Sequence, residues 1–98
     1  MEKHTAHCKL TYVKTLIEAG KVRMTASAVI GARQLGFAER EAVGVVMSLT
    51  TADFYKSMTT YADHTIWQDM YRPRTVHGSV YLKLTVIDDV LIMSFKEL

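Results

Sequence analysis

The sequence predicts an α+β protein in which an antiparallel β-sheet packs on one face against N-terminal helices. Two patterns carry this prediction. Before residue 50, apolar residues recur at intervals of three and four, whereas after it they fall in four short strand-like runs. Helices that precede the strands, rather than alternate with them, are typical of the α+β class. With 98 residues, 49% of them hydrophobic, the chain is expected to form one domain over residues 1–98.

Three helices are predicted in the first half of the chain, each from an apolar stripe and a residue that suits a helix end. They run from Leu10 to a stop at Gly20, from a cap at Thr25 or Ser27 to Gly36, and over Glu39–Leu49. Each predicted end has a simple cause. Hydroxyl side chains accept hydrogen bonds from the first turn of a helix, and glycine adopts the backbone conformation that ends one.

Four strands are predicted in the second half: Phe54–Thr59, Trp67–Arg74, Val80–Ile87 and Val90–Phe95. Only two aspartates separate the last two strands, and aspartate tolerates the left-handed backbone of a two-residue hairpin turn. Such a turn places Leu84 opposite Met93 and Leu82 opposite Phe95 on one apolar face. The other face of this hairpin then carries Tyr81 beside Lys96.

A second hairpin is predicted around a turn at His77 and Gly78, which places Arg74 opposite Tyr81 and pairs the preceding strand with Val80–Ile87. Pro73 lies in that preceding strand and cannot donate to a ladder, so we expect an edge strand there. The two hairpins together gather amide, phenol and cationic side chains on one face: Gln68, Arg72, Arg74, Tyr81, Lys83 and Lys96. This face is either an ordinary solvated sheet surface or a binding surface.

These side-chain types suit RNA. Cationic groups neutralise phosphates, and a tyrosine ring stacks on an unpaired base. A crowded lysine serves as a general acid or base. Because RNA carries its own nucleophile, the 2′-hydroxyl, cleavage on such a face requires no metal.

Other functional classes find little support in the sequence. His4, His7 and Cys8 lie together in an N-terminal segment that we expect to fray, so no metal site is predicted, and no cofactor either. There is no glycine-rich phosphate loop. The N-terminus does not read as a secretion signal, no apolar stretch reaches the roughly 20 residues of a membrane helix, and there is one cysteine. A reduced, cytoplasmic protein without a membrane segment is expected.

Two long segments resemble the MqsR toxins. One is DFYKSMTTYADHTIWQDMYRPR, residues 53–74; the other comprises Val80–Lys83 and the C-terminal run from Val90 to Glu97. The similarity spans the chain and is strongest after Asp53. It implies a RelE-like ribonuclease fold and ribosome-independent cleavage of mRNA at GCN-type sites such as GCU. It also implies a zinc-containing antitoxin, MqsA, as partner.

The resemblance also implies four site residues. Lys56 is matched through the family alone, as general base or phosphate clamp. Gln68 is expected to orient the phosphate or to read a base edge, and Tyr81 to act as general acid or stacking group. Lys96 is expected to stabilise charge in the transition state.

Further RNA contacts are expected from Arg72, Arg74 and Lys83. Asp88 departs from the histidine expected in the family, which leaves any role of that turn in RNA handling open. Two alternatives remain at this point: a non-catalytic RNA- or protein-binding module of the same fold, and a DNA-binding regulator. The second and third helices carry few basic residues, which argues against the regulator.

Overall fold

The computed structural model describes residues 1–98 and contains three α-helices, a short 3₁₀ helix and seven β-strands. In chain order these are β1 (Glu2–Lys3), α1 (Leu10–Glu18), β2 (Val22–Met24), α2 (Ala26–Gln34), α3 (Glu39–Met47), the 3₁₀ helix (Thr51–Asp53), β3 (Phe54–Thr59), β4 (Trp67–Tyr71), β5 (Arg74–Thr75), β6 (Gly78–Ile87) and β7 (Asp89–Glu97). The α+β class is confirmed. The helices are too short or too polar to cross a membrane.

Helix α2 begins, and α1 and α2 end, for the predicted reasons, whereas α3 ends at Met47, two residues before the predicted Leu49. The Thr25 hydroxyl accepts a hydrogen bond from the Ala28 N–H at 3.1 Å, so Thr25 rather than Ser27 caps α2. Gly20 and Gly36 follow α1 and α2 with φ of +79° and +93°, a backbone region that disfavours other residues.

The sheet has the strand order β1-β3-β4-β6-β7-β2, and β5 pairs with the first two residues of β6. All neighbours are antiparallel except β2 and β7, which are parallel. The expected edge position of the Pro73 strand is wrong, because β4 is interior, between β3 and β6. Pro73 is tolerated because it lies between β4 and β5, where the ladder is interrupted.

The hairpin of β6 and β7 has the predicted register only in its outer half, the half farther from the turn. Leu82 pairs with Phe95 there, but beyond a shift between Lys83 and Leu84 the pairing slips by one residue. The turn consists of Asp88 alone, with φ of +64°, instead of two residues. Leu84 therefore faces Ile92, which is fully buried, and not Met93 as predicted.

The second predicted hairpin is wrong by two positions. Arg74 pairs with Ser79 rather than Tyr81, and Met70 pairs with Lys83. Because side chains alternate with a period of two, a slip of two residues keeps each β4 side chain on its predicted face.

The hydrophobic core lies between the helices and one face of the sheet. It contains 17 buried residues, which come from all three helices and from strands β4, β6 and β7, together with the loop residues Phe37 and Leu49. Helix α2 packs closely on β7 at Gly31, where a β-carbon would overlap the carbonyl oxygen of Phe95. A glycine at this point of the helix is therefore required by the packing.

The expectation of a frayed N-terminus is wrong. Strand β1 pairs with β3, and the backbone N–H groups of His7 and Cys8 donate to the Asp69 carboxylate at 2.9 and 3.0 Å. Asp69 is 2% exposed, and a buried carboxylate requires such donors. The His7 ring also stacks on Trp67, so the segment is fixed along its length.

Candidate functional site

The sheet face opposite the helices, called the open face below, brings together the four residues that are predicted to be catalytic. Residues that pair across the strands form a central row on this face: Lys56, Met70, Lys83 and Ser94. On either side of this row, Tyr81 pairs with Lys96 and Met58 pairs with Gln68. Four different strands thus contribute the four family positions, β3, β4, β6 and β7. The predicted placement of Gln68, Tyr81 and Lys96 on one face is confirmed.

Lys56 reaches the open face because β3 contains an irregularity. Phe54 pairs with Tyr71 and packs edge-to-face on its ring, but the next paired residue, Lys56, faces Met70. The register shift between them leaves Tyr55 as an extra residue. It turns Phe54 toward the helix side and Lys56 toward the open face, and so explains the poor alternation of this strand in the sequence.

Tyr81 and Gln68 have sulfur atoms as their hydrogen-bond partners. The Tyr81 hydroxyl donates to the Met70 thioether at 2.9 Å, and the Gln68 amide donates to the Met93 thioether at 3.1 Å. Thioether sulfur is a weak acceptor. Both polar groups are therefore positioned without being committed to a strong partner. The Lys96 ammonium lies 5.7 Å from the centre of the Tyr81 ring.

The Lys56 ammonium is paired with a carboxylate. Its Nζ lies 3.0 Å from Oε1 of Glu2, which belongs to strand β1. This hydrogen bond raises the pKa of Lys56 and lowers the pKa of Glu2, because each charge stabilises the other. Lys56 is thus a cation at neutral pH, a state that suits phosphate binding rather than proton abstraction.

The three further residues predicted to contact RNA occupy different places. Lys83 lies in the central row of the open face. The Arg72 guanidinium lies 3.9 Å above the centre of the Tyr55 ring, which is also 5.1 Å from the Lys56 ammonium. Arg74 lines a cleft of about 710 Å³ against α3 and so lies away from Tyr81, because β5 pairs with the start of β6.

Tyr55 is a residue that the sequence interpretation missed. It is exposed, it stacks against Arg72, and it adjoins Lys56. The signal available in the sequence was the failed alternation of β3, which marks a residue outside the regular ladder.

A family model described as "Motility quorum-sensing regulator, toxin of MqsA" matches residues 5–97. This chain belongs to the MqsR toxin family. A curated relative, the mRNA interferase toxin MqsR of Escherichia coli (strain K12), is 60% identical over 97 residues, which are 99% of each chain. The match to the MqsR family therefore includes the open face and the helices that support it.

One position of this MqsR family chain departs from the pattern that the resemblance implied. Asp88 occupies the one-residue turn between β6 and β7 with a left-handed backbone. Aspartate is among the few non-glycine residues that adopt this region readily. The turn geometry is thus sufficient to account for an aspartate at this position.

Proposed function

We propose that this chain is a toxin endoribonuclease, an mRNA interferase, that cleaves mRNA on the open face. The observation that carries the proposal is that four strands deliver Lys56, Gln68, Tyr81 and Lys96 to one face. The name of the 60% identical relative, an mRNA interferase toxin, supports it. Cytoplasmic action and a RelE-like ribonuclease fold are parts of the same proposal.

The chemistry that fits this face is attack by the ribose 2′-hydroxyl on the adjacent phosphorus. The 2′-hydroxyl proton passes to solvent water as a bond forms between O2′ and phosphorus. The bond to O5′ breaks, O5′ takes a proton from an acid on the face, and solvent then reprotonates that acid. The products carry a 2′,3′-cyclic phosphate and a 5′-hydroxyl. Lys56 binds the phosphate as a cation, and Lys96 stabilises the charge that develops on its oxygens. Gln68 orients the phosphate.

Tyr81 is the group we assign to proton transfer. Its hydroxyl is held only by the Met70 thioether, so exchanging that partner for the departing O5′ costs little. The face presents ammonium, amide and phenol groups rather than clustered carboxylates and imidazoles, which supports a reaction without a metal ion. Arg72, Lys83 and the exposed Tyr55 ring extend the surface for neighbouring nucleotides.

The test is cleavage of a GCU-containing RNA by the purified chain in excess EDTA. We expect a 2′,3′-cyclic phosphate product and a loss of about 10²–10⁴-fold in the Lys56→Ala or Tyr81→Phe variants if each residue acts in the chemical step. Lys9→Ala, an exposed lysine on the helix side, is the control and should cleave normally. RNA binding without cleavage identifies a non-catalytic module instead, and dependence on added Mg²⁺ contradicts the metal-free mechanism.

A zinc-containing MqsA antitoxin is the proposed partner, since the family is described as the toxin of MqsA. The sheet offers two edges for an added strand, β1 and β2, and strand addition is a common mode of recognition. Expression of the chain alone should arrest growth, and co-expression with the antitoxin should restore it. Lys56→Ala should bind the antitoxin without arresting growth.

A further inference from the structure

Strand β1 places a carboxylate on the open face. Glu2 pairs across the ladder with Met58, and its side chain reaches the Lys56 ammonium at 3.0 Å. Only two ion pairs form in the whole chain, and the other joins Arg23 to Asp89. Lys56 is therefore the one cation of the open face with a carboxylate within ion-pair distance.

The backbone around Glu2 is held by the β1–β3 ladder and by contacts on the helix side of the sheet. The Thr59 N–H donates to the Met1 carbonyl oxygen at 2.9 Å within the ladder. On the helix side, the Lys3 ammonium lies 4.1 Å from the centre of the Trp67 ring, and the His7 N–H donates to Asp69. These contacts fix the position of the Glu2 backbone, so the approach of its carboxylate to Lys56 follows from the packing of β1.

A carboxylate at this position opposes the binding of RNA for two reasons. It satisfies the Lys56 ammonium that a phosphate would otherwise approach, and its own negative charge repels that phosphate. The Glu2 side chain is 44% exposed, and ion pairs in such a setting are weak, so a phosphate can displace it. The contact lowers affinity for RNA without blocking the face.

We propose that Glu2 acts as an intramolecular competitor for RNA phosphate at Lys56, so that strand β1 restrains binding of RNA to the open face. This inference rests on the proposed function, because it assumes that RNA binds there. It assigns to the N-terminal strand a role that the four family positions do not cover. The reaction itself does not involve Glu2, since its carboxylate leaves Lys56 before the phosphate is bound.

The experiment compares Glu2→Gln with wild type by titration of a 2′-O-methyl RNA containing GCU, which binds but lacks the nucleophile. Glutamine keeps the size of the side chain and removes the charge. We expect the Kd to fall by about two- to fivefold, as an exposed ion pair predicts. On cleavable RNA the KM should fall by a similar factor while kcat stays near the wild-type value.

Two comparisons isolate the contact from the overall charge. Glu18→Gln removes the same charge from the exposed end of α1, on the helix side, and should change the Kd much less. In a Lys56→Ala background, Glu2→Gln should give a smaller gain than in wild type, because the competition for Lys56 is gone and only the repulsion between the carboxylate and the phosphate remains. An equal effect of Glu18→Gln, or a full gain in the Lys56→Ala background, overturns the proposal.

The outcomes separate this inference from the proposed function. If wild type cuts RNA and Glu2→Gln binds it no better, only the inference fails. If Glu2→Gln binds RNA more tightly but neither protein cuts, the competitor role stands and the catalytic proposal fails. If neither protein binds RNA, both fail.

Discussion

Replacing Ile92 by alanine is expected to destabilise the fold more than any single truncation at the neighbouring positions of β7. Ile92 is fully buried and faces Leu84 across the hairpin, because the register shifts between Lys83 and Leu84. The substitution removes three methylene-sized groups, which amounts to about 2.4 kcal/mol of transfer free energy. The cavity adds to this, for a total loss of about 3–5 kcal/mol.

Met93→Ala is the matched control, because the register predicted from sequence would have placed Met93, not Ile92, opposite Leu84. Met93 is only partly buried, so its truncation should cost about 1 kcal/mol. Urea denaturation gives both values, and a loss of about 3–5 kcal/mol corresponds to a fall in Tm of roughly 12–40 °C for a domain of this size. If Met93→Ala costs more than Ile92→Ala, the described register is wrong.

Three further predictions concern other parts of the molecule. Gly31→Ala should destabilise the protein strongly, because the added methyl group overlaps the Phe95 carbonyl oxygen. Gly44→Ala adds a methyl group in open space and should stabilise α3 by up to about 1 kcal/mol. Thermal melts compare the two variants, and equal effects would contradict the packing of α2 on β7. Tyr71→Phe should raise the free energy of unfolding by about 1 kcal/mol in urea at pH 7, because the buried hydroxyl has no hydrogen-bond partner. Burial also raises the pKa of Tyr71. The wild type should therefore lose stability as the pH rises above about 10, because Tyr71 ionises there in the unfolded chain and not in the folded one. Tyr71→Phe should lose less stability over this pH range, and an identical pH dependence of the two proteins would argue against this burial. Lys96→Ala should leave the Tm nearly unchanged, since the side chain is exposed, while RNA cleavage falls; a lowered Tm would place Lys96 in the core instead.

The sequence was sufficient to predict the helices and the outer half of the β6–β7 hairpin. In the inner half it could not decide the register, because Val90 and Ile92 form one apolar series and Leu91 and Met93 form another. Either series satisfies an apolar face, so the pattern does not distinguish a one-residue turn from a two-residue turn. The left-handed Asp88 and the packing of Ile92 in the core decide it.

Three of the four family positions could be placed on one face from the two predicted hairpin registers, and the slip of two residues in the second register left that face unchanged. Lys56 could not, because the irregularity at Tyr55 breaks the alternation of β3. Strands β1 and β2 have two and three residues, too few for any periodic pattern. The contact of Glu2 with Lys56 depends on β1 and joins positions 54 residues apart, so it could be seen only in the structure.

The distribution of the site over four strands has a consequence for how the protein folds. Strand β1 pairs with the middle of the chain, and the Thr25 hydroxyl donates to a carbonyl of β7 68 residues away. Such distant pairings form more slowly than local contacts, because long loops must close first. Lys96 joins Tyr81 when the β6–β7 hairpin forms, but Gln68 and Lys56 join them only when β4 pairs with β6 and β3 pairs with β4, so partly folded chains lack the complete set of site residues. In this topology, nuclease activity and the native sheet are expected to form in the same kinetic step.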